Sequence, residues 1–238
     1  MNNLSLEQVV TAIQAVVEPK TPNIPISTML QEAEDLHVWC QEDKAALVAA
    51  GLDWNLVDSL PFRASALRRY QSEWNKEYQM QEEAEKEWMN VSPAAYELRD
   101  ELVHHCLFAF RNQPDLLAKV QQIAAGGGHA DMIQDLSDLS LLGAANPEPL
   151  NTISVDLNLF ITAGDMAEEM ADVLARSNGQ KNSAKEGRIL RDKAYTYLKG
   201  AVDEIRRCGQ YVFWRTNDRK KGYISRYWYI REKKAEAK

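Results

Sequence analysis

A chain of 238 residues, 45% hydrophobic and 26% charged with only 11 glycines and 8 prolines, can bury one large core or two smaller ones and leaves little room for extensive disorder. The three cysteines, Cys40, Cys106 and Cys208, are odd in number and far apart, so a disulfide framework is not expected. Residues 1–7 lack the basic stretch and apolar run of a secretory signal, and no segment approaches the ~18 apolar residues of a membrane span. The chain therefore reads as cytoplasmic.

The formal charge of −7 hides a division, because residues 206–238 hold 11 Lys/Arg against 3 Asp/Glu while residues 1–205 hold 17 against 32. A net +8 tail thus follows a net −15 body. Such a tail either binds an anionic partner or docks on its own acidic body.

In chain order, Leu6, Val9, Val10, Ile13, Val16 and Val17 make an apolar stripe that predicts a helix over 5–18 with Ser5 as its cap. Pro22 and Pro25 end it. Ser27 is the expected cap of a second helix running to Gly51, with Met29, Ala33, Leu36, Cys40 and Leu47 near one face. A short turn follows Asp53, and Pro61 opens a long helix over 62–90 with Leu67, Tyr70, Trp74, Tyr78 and Trp88 close to one stripe.

Ser92-Pro93 predicts a new start or a kink, since serine caps well and proline suits a first helical position. The next helix, 93–112, is apolar on more than one side and is expected to be central. Shorter helices are predicted over 114–125 and 130–142, separated by Gly126-Gly127-Gly128. Two long helices close the fold, over 153–176 and over 183–215. The second is opened by the capping box Ser183-Ala184-Lys185-Glu186, and its seam is Leu190, Ala194, Tyr197, Ala201, Ile205, Cys208 and Val212. Gly187, Gly200 and Gly209 weaken it and permit close contact. The fold expected is all-α, a long-helix antiparallel bundle of about four long helices plus several short ones. It comprises a bundle domain over 1–216 and a basic, aromatic tail or short helix over 217–238.

Two Glu-x-x-His pairs, Glu34/His37 and Glu101/His104, have the spacing of a carboxylate-bridged di-metal bundle. At ~100° per residue, however, Glu34 lies off the Met29/Ala33/Leu36/Cys40 stripe and Glu101 lies nearly opposite Val103 and Phe110. Both pairs read as surface glutamates beside half-buried histidines, and no metal or cofactor is expected. His104-His105-Cys106 cannot chelate one ion alone, because adjacent helical side chains point apart. The cysteines read as packed thiols. The triglycine reads as a connector, matching no phosphate-binding fingerprint. Asp131, Asp135 and Asp138 read as a solvated face opposite Leu136 and Leu139.

Composition singles out the C-terminus, where Arg219, Lys220, Lys221, Arg226, Tyr227, Trp228, Arg231, Lys233 and Lys234 interleave cations with aromatics. Such residues can hold phosphates and stack on unpaired bases, or they can pack a terminal helix onto the bundle with the cations toward acidic residues. The leading expectation is a non-enzymatic helical scaffold or protein-interaction protein whose partner is a protein. The alternatives are a nucleic-acid-binding accessory protein that uses this tail and a metal-dependent bundle enzyme. A homo-oligomer is compatible with either binding role.

Overall fold

The computed structural model describes residues 6–236, with side chains from 7 to 235. Among the described residues every regular element is helical. The elements are α1 (Leu6–Gln14), α2 (Ile26–Gln41), α3 (Lys44–Ala49), α4 (Trp54–Asp58), α5 (Leu60–Ala109) and α6 (Pro114–Ile123). They continue with α7 (His129–Ala145), α8 (Pro147–Thr152), α9 (Asn158–Val212), α10 (Asn217–Lys220), a 3-10 turn (Lys221–Tyr223) and α11 (Arg226–Glu236). The expected cap Ser5 lies outside the described residues.

The all-α expectation holds, but the four long helices merge pairwise into two. Helix α5 runs through Ser92-Pro93 without a break. Proline removes one intrahelical hydrogen bond, to the carbonyl of the fourth residue before it. Here that residue is Met89, which is exposed, as is Pro93 itself, so water can satisfy the freed oxygen. Ser92 is buried in the helix interior and starts nothing. Helix α9 likewise runs through Ser183–Glu186. The breakers nearby are Gly179 and Gly187, and a cost of ~1 kcal/mol each is too small to stop a helix already propagating on both sides.

The second expected helix divides where the sequence offers no proline or glycine. Helix α2 begins after Pro25, with Ser27 inside its first turn, and ends at Gln41. Asp43 then turns out of helical geometry (φ −103°, ψ 6°) before α3. Gly51 does terminate this region, at φ 92°, a conformation that favours glycine.

The chain forms two compact units. Unit 1 takes the residues up to Glu77 and from Ser183 onward, and unit 2 is Tyr78–Asn182. In unit 1 the core is made by Val9 and Ile13 of α1, Met29, Ala33, Leu36 and Cys40 of α2, Leu60 and Leu67 of α5, and Ala194, Leu198, Ala201 and Ile205 of α9. The long helices run antiparallel there. Going back along α5 from 77 to 63, partners on α9 advance from Gly187 beside Glu77, through Arg191 over the Trp74 ring, to Tyr197 under Arg63. Buried Arg63 donates to the Ser59 hydroxyl (2.8 Å) and the Tyr197 carbonyl (2.7 Å), so its guanidinium is satisfied without a carboxylate.

Unit 2 has its own core. Leu98, Leu102 and Cys106 of α5, with Phe110 just past its end, repeat every four residues and meet Met132, Leu136 and Leu139 of α7, Leu150 of α8 and Phe160, Ala163 and Met170 of α9. Asp135, expected on a solvated face, is buried and ion-paired with Arg99 at 2.8 Å. Arg99 also donates to the Ala124 carbonyl, so one α5 side chain ties α7 to the end of α6.

Candidate functional site

The C-terminal segment is held on unit 1 by two carboxylates that the sequence reading passed over. Asp43 sits at the turn between α2 and α3. Its Oδ2 accepts from the Tyr223 hydroxyl at 2.6 Å and from the Arg219 guanidinium at 2.6 Å. Arg219 also pairs with Glu42 at 2.8 Å and lies 4.3 Å over the Trp39 ring. The second anchor is Glu32 of α2, which accepts from the Arg206 guanidinium (2.8 Å), the Ser225 hydroxyl (2.9 Å) and the Tyr227 backbone N–H (2.9 Å). Both carboxylates are buried, and charged groups are tolerated in such positions only when paired and hydrogen-bonded.

Two glycines shape the seat. The Tyr223 ring lies on the α9 backbone at Gly209, where a Cβ would overlap it, and stacks on Phe213 at 5.6 Å. At Gly222 a Cβ would overlap the Trp39 indole. The expected close contact at Gly209 is therefore real, but it is with the C-terminal segment. Nothing lies within 4 Å of a Cβ built at Gly200.

Electrostatics follow the geometry. Burial, then the Asp43 carboxylate that accepts its proton, pushes the Tyr223 hydroxyl well above the usual tyrosine range. Burial alone would raise Glu32, but the Tyr227 N–H and Arg206 outweigh it and hold the carboxyl below its ordinary value. The hydrogen bond from Arg219 to Asp43 raises the guanidinium further.

Anchoring leaves several side chains of the segment exposed. A groove of about 760 Å³ is lined by Asn217, Lys220, Lys221, Ile224, Arg226, Tyr229 and Ile230. Ile224 and Ile230 expose 36% and 42% of their surface, enough to make an apolar floor between cations. Of the residues singled out beforehand, Arg219 faces inward. Lys220, Lys221 and Arg226 line the groove, with Lys221 ion-paired to Asp218 at 3.0 Å. Tyr227 is half-buried, and Arg231 donates to its hydroxyl and lies over the rings of Tyr227 and Trp228. Lys233 covers Tyr229 at 4.8 Å, and Lys234 is exposed. The sequence reading missed Glu32, Asp43 and the two isoleucines. A mid-helix glutamate and a turn aspartate carry no local signature, and only the opposite charge of tail and body pointed their way.

The other constellations resolve differently. Glu34 pairs with Arg68 at 2.6 Å, and Glu101 faces His105 at 3.6 Å, so each carboxylate has a neighbour outside its Glu-x-x-His pair. Among the described residues no group of three or more His, Cys, Asp or Glu is arranged to hold a metal ion. Cys40 and Cys106 are buried, and burial pushes both thiols up to about 12. At the triglycine, the backbone N–H groups of Gly127 and Gly128 donate to Asp131 Oδ2 at 3.1 and 3.0 Å. The chain's own carboxylate thus takes the position an anion would occupy at this helix start.

Among the described residues no helix is long and apolar enough to cross a membrane. Comparison of the chain with protein-family models, curated proteins and solved structures returns no match.

Proposed function

We propose that the protein is a non-enzymatic helical scaffold that binds another protein through the groove of its C-terminal segment. One observation carries this reading. Two buried carboxylates hold the segment so that its inner side is fixed while aliphatic and cationic side chains are left facing outward around one groove. An exposed apolar floor rimmed by charge is the usual form of a protein-interaction patch.

Nucleic acid is the second reading, favoured by exposed Trp228 and Tyr229 beside Arg231 and Lys233. Against it, Trp214, Tyr227, Trp228 and Tyr229 each already have one ring face beneath a cation of this chain, which reduces the surface open to base stacking. A photo-cross-linking residue placed at Ile230 tests the first reading against a control at exposed Val17. A discrete protein adduct at 230, absent at 17 and lost in K220E/R226E, supports it. No adduct, or the same adducts at both sites, removes it. Retention on single-stranded DNA at low salt that K220E/R226E abolishes would transfer the site to nucleic acid.

A further inference from the structure

Charge is segregated between the two units. Residues 78–182 hold 17 Asp/Glu against 6 Lys/Arg, a net −11, whereas the rest of the chain holds 22 Lys/Arg against 18 Asp/Glu, a net +4. Three of these 17 carboxylates line one side of α9 together with an exposed isoleucine. Ile161, Asp165, Glu168 and Asp172 of α9 follow one another at steps of four, three and four, which is one side of a helix, and all four are exposed. The ion pairs of unit 2 use Glu85, Glu87, Asp100, Glu101 and Asp135, and none uses these three carboxylates.

Beside this stripe runs α7. A groove of about 550 Å³ between the two helices is bordered by Ser140, Leu141, Ile161, Gly164, Asp165 and Glu168. Leu141 is 69% and Ile161 63% exposed. Two large aliphatic side chains next to unpaired carboxylates are the chemical counterpart of Ile224 and Ile230 next to Lys220 and Arg226.

We infer that the basic groove of one copy receives the acidic, aliphatic α7/α9 face of a second copy. This rests on the reading of the groove as a protein-binding surface and names its occupant. Opposite charge at the rim speeds encounter and fixes register, while the four aliphatic side chains leave water together. The two surfaces differ, so the contact is head-to-tail, and each added copy leaves one basic groove and one acidic face free.

Sedimentation of the full chain at low salt (~0.05 M) tests this. Mass above the monomer that rises with concentration and returns to monomer near ~0.5 M salt is expected, since screening weakens exposed charge pairs. K220E/R226E and L141E/I161E should each weaken association about tenfold or more, and the two altered surfaces, both acidic, cannot pair with each other. Mixing these two variants is decisive, because each keeps one intact surface. A one-to-one dimer that grows no further is expected, and it also shows that both variants are folded. Monomer at every salt concentration, association untouched by either variant, or a mixture that stays monomeric overturns the inference. Should the wild type stay monomeric while Ile230 still captures a different protein, the second copy is excluded and the interaction surface stands. Loss of both results removes both.

Discussion

The Tyr223 hydroxyl donates to Oδ2 of Asp43 at 2.6 Å, joining two residues 180 positions apart. The same oxygen carries Arg219, so a turn residue between α2 and α3 supplies one of the two anchors of the C-terminal segment. Tyr223→Phe keeps the ring against Gly209 and Phe213 and removes only the hydrogen bond to the charged group. The expected loss is about 1–3 kcal/mol in urea unfolding. Asp43→Ala should cost more, because it strands both the Tyr223 hydroxyl and part of the Arg219 guanidinium.

Glu32 gives the same seat a pH limit. Its folded pKa is depressed, so its contribution is full above the unfolded value of ~4.3 and is lost as pH falls through the lower folded value. Docking should therefore be constant through neutral pH and weaken only below about pH 4. Amide signals of Tyr227 and Trp228 followed by NMR should move together in that window. Glu32→Gln should abolish that transition and cost about 2–3 kcal/mol at neutral pH, since Arg206 would keep a buried guanidinium without its carboxylate.

How much of this was legible depended on whether the determinants are local. The α5 core repeat follows from spacing alone, and so do Val9 and Ile13 of α1, but that helix ends at Gln14, short of the expected Glu18, and leaves Val17 exposed. Most of the α9 seam follows from spacing too, although Tyr195, Leu198 and Val202 are buried beside it as well. Helix ends are less legible, because Ser92-Pro93 and Ser183–Glu186 carry genuine start signals that the helices run through, with the carbonyl freed by Pro93 open to water and the nearby glycines too weak to stop propagation. Asp43 is the reverse case. It breaks a helix with no local breaker, and its reward is long-range, in Arg219 and Tyr223. The groove residues Lys220, Lys221 and Arg226 were visible as charge, whereas the isoleucine floor becomes evident only once the inner face is anchored.

Thiol chemistry separates the cysteines. Cys40 and Cys106 are fully buried with thiols pushed up to about 12, so the thiolate that reacts with alkylating agents is nearly absent at pH 8. Native protein treated with iodoacetamide should be modified at Cys208 first, which is only half-buried although burial raises its thiol too. Labelling of Cys40 and Cys106 should require unfolding. Mass spectrometry of peptides after brief labelling decides it, and rapid modification of Cys106 in the native state would refute its place in the unit 2 core.

Gly200 and Gly209 sit in one helix and should respond oppositely to the same substitution. Alanine is favoured over glycine in a helix interior by up to ~1 kcal/mol. At exposed Gly200 a Cβ meets nothing within 4 Å, so Gly200→Ala should stabilise by about 0.5–1 kcal/mol. At Gly209 the same Cβ overlaps the Tyr223 ring, which is fully buried and tied to Asp43. That ring cannot yield without losing its hydrogen bond and its contact with Phe213. Gly209→Ala should therefore expel the segment while leaving unit 2 intact. Limited trypsin digestion at neutral pH should show fast cleavage around Arg219–Lys221 in G209A and slower cleavage in G200A than in wild type. Equal cleavage in all three would mean that Tyr223 finds another seat and that Gly209 has no special part in docking.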